Sequence, residues 1–171
     1  IDYALAIFYS LPPKLKRMGL LANAIVGVHH TILPMLTEWS MFKPLREAPS
    51  LLFLALFFVA WSVHIIEDFE DVEGDRKAGT QTLPLLLGKR GATLTLTVIC
   101  SFSILMGVLN SVYRYRPYWL ICFPQQVLII LFSSKLTKAV ELSQISKIHK
   151  ICEVLSITTG LTLFIGYVLL G

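Results

Sequence analysis

The side chains in this sequence best suited to chemistry are the aspartates of Glu67-Asp68-Phe69-Glu70-Asp71-Val72-Glu73-Gly74-Asp75, a stretch that holds six of the chain's 11 acidic residues. On a continuous helix, at about 100° per residue, Asp71 lies about 60° behind Asp68 and Asp75 lies between them, so the three share one face. Glu70 and Glu73 fall about 160° and about 140° from Asp68, and Glu67 about 100°, which separates the glutamates from the aspartates. Three neighbouring carboxylates at a low-dielectric edge repel one another and take up protons unless a cation neutralises them. Oxygen donors favour Mg²⁺ or Mn²⁺ over zinc, and Mg²⁺ takes one or two carboxylates while leaving positions for phosphate oxygens. The spacing therefore predicts an open Mg²⁺ site for a phosphorylated ligand, against the plainer alternative of a solvated acidic loop.

The elements that position these aspartates belong to a membrane. The 171 residues are 55% hydrophobic and 15% charged, with a mean hydropathy of +0.69, whereas soluble domains are about 25% charged. Continuous apolar runs close to the roughly 20 residues that cross a bilayer core of about 30 Å predict five spans: Gly19 to Leu36, Ser50 to Ile66, Ala92 to Val112, Pro117 to Phe132, and Ile151 to Leu170. The runs do not alternate with a period of two, so they are helices and not barrel strands. The expected fold class is all-α, a polytopic transmembrane helical bundle forming a single domain over residues 1–171, integral to a lipid bilayer.

Residues 3–9 read as the end of a helix stopped at Ser10-Leu11-Pro12-Pro13, with no basic start and cleavage site of a secretory signal. A fragment of a longer protein is expected. Cys100, Cys122 and Cys152 lie in or beside apolar spans without CxxC or Cys/His spacing, and are expected to be buried free thiols.

Basic residues sort by side. Lys14, Lys16, Arg17, Arg76, Lys77, Lys89, Arg90, Lys135, Lys138, Lys147 and Lys150, 11 of the 15, flank the spans on one side, while Lys43, Arg46, Arg114 and Arg116 flank them on the other. The positive-inside rule makes the first side, and with it the aspartate-rich loop, cytoplasmic. The net charge of +4 then reports topology. No basic and aromatic residues interleave as a nucleic-acid groove requires, so nucleic acid is excluded as a partner.

Gly74 and Gly79 each cost about 1 kcal/mol inside a helix, so the helix is expected to loosen or end across them. Arg76, Lys77, Thr80, Thr82, Pro84 and Gly88-Lys89-Arg90-Gly91 then form a basic, turn-rich connector into the third span. Asn23, His29, His30, Gln125, Gln126 and Glu153, polar groups within apolar spans, are candidates for contacts to a ligand in a cavity or, more commonly, for hydrogen bonds between helices.

Asp68-x-x-Asp71-x-x-x-Asp75 inside EDFEDVEGDRKAGTQTLPLLLG resembles the second aspartate-rich motif of the UbiA-type intramembrane prenyltransferases, with its Glu-Gly-Asp, Ala-Gly and Thr-Leu-Pro elements. Tyr9-Ser10-Leu11-Pro12-Pro13-Lys14-Leu15-Lys16-Arg17 is similar to that family's Tyr-Ser-Pro-Pro-Lys-Arg segment at the cytoplasmic end of its fourth helix. The resemblance covers the C-terminal part of a nine-helix bundle: the five spans match helices five to nine, and Ile1 to Ser10 the tail of helix four. The family's first motif, Asn-Asp-x-x-Asp, is absent from these residues, and Glu67 stands where relatives often carry Lys or Arg. The Glu-Gly-Asp form looks more like members that make archaeal ether lipids, chlorophylls or prenylated quinones than like a haem farnesyltransferase.

What the resemblance implies is Mg²⁺-dependent transfer of a prenyl group from an allylic prenyl diphosphate donor to a hydrophobic aromatic or lipid acceptor. It implies Asp71 and Asp75 as metal ligands, with Asp68 a third ligand or a supporting partner. Lys14, Lys16, Arg17 and Arg76 are expected on the diphosphate, and Tyr9 and Ser10 at the reacting end. With half of the metal site missing, weak or no activity is expected of this chain alone. The rival readings are a membrane cation transporter and an inactive membrane remnant. A CDP-alcohol phosphotransferase is disfavoured, because its Asp-Gly and Ala-Arg order does not occur in EDFEDVEGDRKAG.

Overall fold

A computed structural model of the chain describes residues 18–114 and 122–170. Every regular element among them is helical. α1 spans Leu20–Ser40, α2 Ser50–Glu70, α3 Val72–Ala78, α4 Leu83–Arg114, α5 Phe123–Ser134 and α6 Leu142–Leu170. Short 3-10 turns lie at Leu45–Glu47 and Lys135–Thr137. Among the described residues α1, α2 and α4 are long and apolar enough to cross a membrane, and the protein is an all-α integral membrane protein.

α2 is the centre of the bundle. Asn23 of α1 meets Asp68 near one end of α2, and Trp39 packs edge-on against Phe53 near the other, at 6.3 Å between ring centroids, so α1 and α2 are antiparallel. Ser103 of α4 donates to the Ala55 carbonyl (2.8 Å) and Phe102 stacks on Phe58, which makes α4 antiparallel to α2 as well. α6 is likewise antiparallel, with His149 beside Glu70 and Leu163 packed in the cluster of Leu52 and Phe53. The core contains Val59, Ile65, Ile66 and Phe69 of α2 against Leu96 and Ile99 of α4, Ile129 of α5 and Cys152 of α6. With no water in a bilayer core, polar groups must be satisfied within the protein. The hydroxyls of Thr93, Thr95, Thr97 and Ser101 accordingly donate to the carbonyls four residues earlier in α4, and Thr159 and Thr162 do the same in α6.

Four sequence expectations change. α1 is not uniform: Val28–Ile32 forms a π-helical turn ahead of Pro34. Proline lacks the N–H that the turn before it would use, and its ring crowds the carbonyl four residues back, so the backbone widens there. Of Gly88-Lys89-Arg90-Gly91 only Gly88 turns, at φ 66 and ψ 172; Lys89, Arg90 and Gly91 are already helical, so α4 is two helices joined at Gly88 and starts nine residues before the expected Ala92. α6 starts at Leu142, ahead of the expected Ile151. Finally, α2 does not run through the aspartate motif. It stops at Glu70, Asp71 turns at φ −98 and ψ 8, and α3 carries Asp75. The expected fourth span, Pro117 to Phe132, falls partly outside the described residues, and its described portion belongs to α5.

The contacts also sort the charges. The end of the bundle bearing Asp68 carries Arg76, Lys77, Lys89, Arg90, Lys135, Lys138, Lys147 and Lys150, whereas Lys43 and Arg46 lie in the connection between α1 and α2 at the other end. Lys89 donates to the Ala139 carbonyl and so ties the start of α4 to the connection between α5 and α6. The cysteines are buried free thiols, as expected.

Candidate functional site

The break at Asp71 folds the acidic segment back over the end of α2. Asp75 N–H donates to the Asp71 carbonyl at 2.8 Å, which starts α3, and Gly79 ends it at φ 68 with Thr80 N–H returning to the Asp75 carbonyl at 2.9 Å. A left-handed residue at this position suits glycine because it has no Cβ to clash with the following carbonyl. The return lays Thr80 and Thr82, both buried, beside α2. The outcome is a cavity of about 220 Å³ lined by Asn23, Val26, His64, Glu67, Asp68, Asp71, Asp75, Ala78, Thr80 and Thr82.

All three aspartates therefore face one cavity, though on a broken helix and not on one continuous face. Asn23 Nδ2 donates to Asp68 Oδ2 at 2.7 Å, so the α1 polar group makes a hydrogen bond between helices. Glu67 joins the cavity wall, which corrects the expected separation of glutamates from aspartates. Its carboxylate spans two histidines: Oε2 lies 2.8 Å from His64 Nδ1, and Oε1 lies 3.7 Å from His149 Nε2. His149 Nδ1 lies 3.0 Å from Glu70 Oε2. His30, on the widened turn of α1, brings Nδ1 to 3.3 Å from His64 Nε2. Glu73 is exposed and does not line the cavity.

Arg76 sits on α3 but is exposed and is not part of the cavity wall. Tyr9, Ser10, Lys14, Lys16 and Arg17 lie outside the described residues. His64 was not singled out from the sequence, and Thr80 and Thr82 were named only as part of the connector that follows the motif. The helical spacing of His64, four residues before Asp68, is the signal that points to it. A second cavity of about 370 Å³ lies at the opposite end, between Met35, Trp39, Phe53 and Leu163. It is mainly apolar and has Glu38 as its one carboxylate among the lining residues, so the aspartate cavity is the candidate for ion chemistry.

Among the described residues no three His, Cys, Asp or Glu side chains converge into a ready-made metal cage. Mg²⁺ does not need one, because it binds through one or two carboxylates and completes its octahedron with water and substrate phosphates. An open wall of Asp68, Asp71 and Asp75 fits that donor requirement.

A membrane-embedded helical bundle with an acidic cavity at one end is the class that fold and site define. The chain matches the UbiA prenyltransferase family over residues 3–153 and belongs to it. It is 35% identical over 89 residues to chlorophyll synthase of Arabidopsis thaliana, covering 52% of this chain and 23% of that protein. With digeranylgeranylglyceryl phosphate synthase of Pyrococcus abyssi it shares 34% identity over 106 residues, 58% of this chain and 37% of the relative. The Methanococcus aeolicus protein of the same name is 28% identical over 138 residues, 77% of this chain and 47% of that one. The chain thus spans less than half the length of these three relatives. A solved structure from work on digeranylgeranylglyceryl phosphate synthase in membranes shares the fold, with a TM-score of 0.73 at 23% identity over 96% of this chain and 58% of the other.

Proposed function

We propose that this chain forms the second aspartate half of the donor site of an intramembrane prenyltransferase, on the cytoplasmic side of the membrane. Asp71 and Asp75 are the Mg²⁺ ligands, with Asp68 a third ligand or their partner. The donor is an allylic prenyl diphosphate and the acceptor a hydrophobic aromatic or lipid molecule. The observation that carries this reading is the convergence of the three motif aspartates on one open cavity at the basic end of the bundle.

When bound, Mg²⁺ supplies positive charge that stabilises the departing diphosphate. Asn23 holds the Asp68 carboxyl in place by its hydrogen bond, so that carboxyl does not have to reorganise as charge develops. Lys14, Lys16 and Arg17 share the diphosphate charge, with Arg76 contributing from outside the cavity wall, and Tyr9 and Ser10 line the reacting end. The allylic C–O bond breaks with its electron pair on the diphosphate, and the acceptor captures C1. Apolar surroundings that exclude water protect this carbon from hydrolysis. A cation pathway calls for carboxylates in the middle of a span, whereas Asp68 lies in the last turn of α2.

The experiment is donor binding by the reconstituted chain in lipid vesicles, using radiolabelled prenyl diphosphate with and without Mg²⁺. Mg²⁺-dependent retention that falls at least tenfold in Asp71→Asn and in Asp75→Asn is expected, with weak or no transfer by the chain alone. Binding indifferent to Mg²⁺ and to both substitutions overturns the assignment. Robust transfer by the isolated chain overturns the half-site reading. A cation flux lost in Asp71→Asn, without donor binding, selects the transporter.

A further inference from the structure

We propose that His64 is the base that receives the proton the acceptor releases as it captures the prenyl group; this rests on the prenyl-transfer reading above. His64 lines the same cavity as the three aspartates, one helical turn before Asp68. Its Nδ1 is 2.8 Å from Glu67 Oε2. A carboxylate only accepts, so Nδ1 carries the hydrogen, and in the neutral ring Nε2 keeps the lone pair. Base and orienting carboxylate in hydrogen-bond contact are the arrangement that general-base catalysis requires.

His149 of α6 lies 3.0 Å from Glu70 Oε2 through Nδ1, and its Nε2 is 3.7 Å from the second oxygen of Glu67, which places α6 beside the Glu67–His64 pair. On the other side, His30 Nδ1 lies 3.3 Å from His64 Nε2, which marks where a hydrogen-bond donor meets that lone pair. His30 is exposed on the widened turn of α1, and a hydroxyl entering the cavity takes its place at Nε2. The groups facing His64 are thus His30 from α1, Glu67 on its own helix, and His149 from α6 behind Glu67, with the aspartates across the cavity.

At capture by a hydroxyl the acceptor oxygen forms a bond to prenyl C1, and the C1–diphosphate bond breaks with its electron pair on the diphosphate. The O–H pair stays on the acceptor oxygen, and the proton goes to His64 Nε2. An alcohol retains its proton at neutral pH and gains from such a base, and so does an aromatic carbon, whose ring proton must leave to restore aromaticity. A carboxylate acceptor is already ionised and has no use for one. Glu67 remains an acceptor throughout and acts as a positioning residue.

The test uses the protein in its native membrane, with C1-labelled prenyl diphosphate and the membrane's own lipids as acceptors. Two labelled products are separated: prenylated acceptor, and the prenyl alcohol formed when water captures C1. His64→Asn is expected to lower the ratio of the first to the second at least tenfold, and Glu67→Gln to lower it in the same direction. Asp71→Asn is expected to reduce both products together and leave the ratio within twofold. A ratio within twofold of wild type in His64→Asn overturns this inference alone. Loss of both products together in that variant marks a structural role and also overturns it. Absence of both products in wild type in that membrane, where whatever supplies the first aspartate half is present, removes the prenyl-transfer reading, and the inference with it.

Discussion

Asn23 on α1 donates to Asp68 on α2 across 2.7 Å, a contact between residues 45 apart in sequence. It fixes the register of the two helices and the direction of the first motif carboxyl at once. A hydrogen bond of this kind contributes about 1 kcal/mol, and the side chain of Asn23 is buried. Asn23→Leu is expected to lower the melting midpoint in detergent by about 3 °C. Asn23→Asp sets two carboxyls at hydrogen-bond distance, is more damaging at neutral pH, and is partly rescued by Mg²⁺. Equal melting of wild type and Asn23→Asp, with and without Mg²⁺, contradicts this.

Mg²⁺ and Asp71 act together in the proposed site, so their removals are not additive. Chelation with EDTA is expected to lower prenyl diphosphate binding by wild type at least tenfold. In Asp71→Asn, whose binding is already low, chelation has less than a twofold further effect. Equal fold losses in the two proteins place the metal elsewhere.

The turn at Gly79 decides where Thr80 and Asp75 stand relative to α2. A Cβ on Gly79 meets no atom within 4 Å, so the effect of substitution is strain at φ 68 and nothing else. Gly79→Val costs about 1–2 kcal/mol, while Gly79→Asn is milder because asparagine tolerates left-handed backbone. Hydrogen exchange over residues 72–82 is expected to quicken in the order valine, asparagine, wild type. A uniform rise across α4 and α6 instead points to global destabilisation.

Gly27 lets α1 approach α2. A Cβ there comes within 3.1 Å of Phe57 Cε2 and 3.5 Å of Trp61 Cβ. Gly27→Val is expected to destabilise by about 1–3 kcal/mol through overpacking, and Gly27→Ala by less. Separation of α1 and α2 also lengthens the His30 to His64 contact, so a double-label distance measurement between exposed Leu21 of α1 and exposed Leu54 of α2 reports it. An unchanged distance with unchanged melting contradicts the close approach.

Much of this protein was legible in its sequence. Apolar runs near membrane thickness, without two-residue alternation, fix a helical membrane bundle, because only helices and closed barrels satisfy the backbone in lipid. The motif around Asp68, Asp71 and Asp75 was sufficient for the family, and buried thiols at Cys100, Cys122 and Cys152 followed from their apolar settings. Local rules also set the left-handed turn at Gly79 and the widened turn before Pro34, although the widening was visible only in the backbone.

What tertiary structure decided is which groups share a cavity. A helical wheel presumes a straight helix, and the chain instead breaks at Asp71, so the aspartates converge through a fold-back and not through a common face. Glu67 lines the cavity beside His64, with His149 of α6 3.7 Å away, and His64 gains its neighbours from α1 and from its own helix. Contacts such as Asn23 with Asp68 or Glu70 with His149 join residues 45 and 79 apart. No periodicity encodes such pairs, because they depend on how α1, α2 and α6 are rotated against one another, and that rotation is set by packing across the whole bundle.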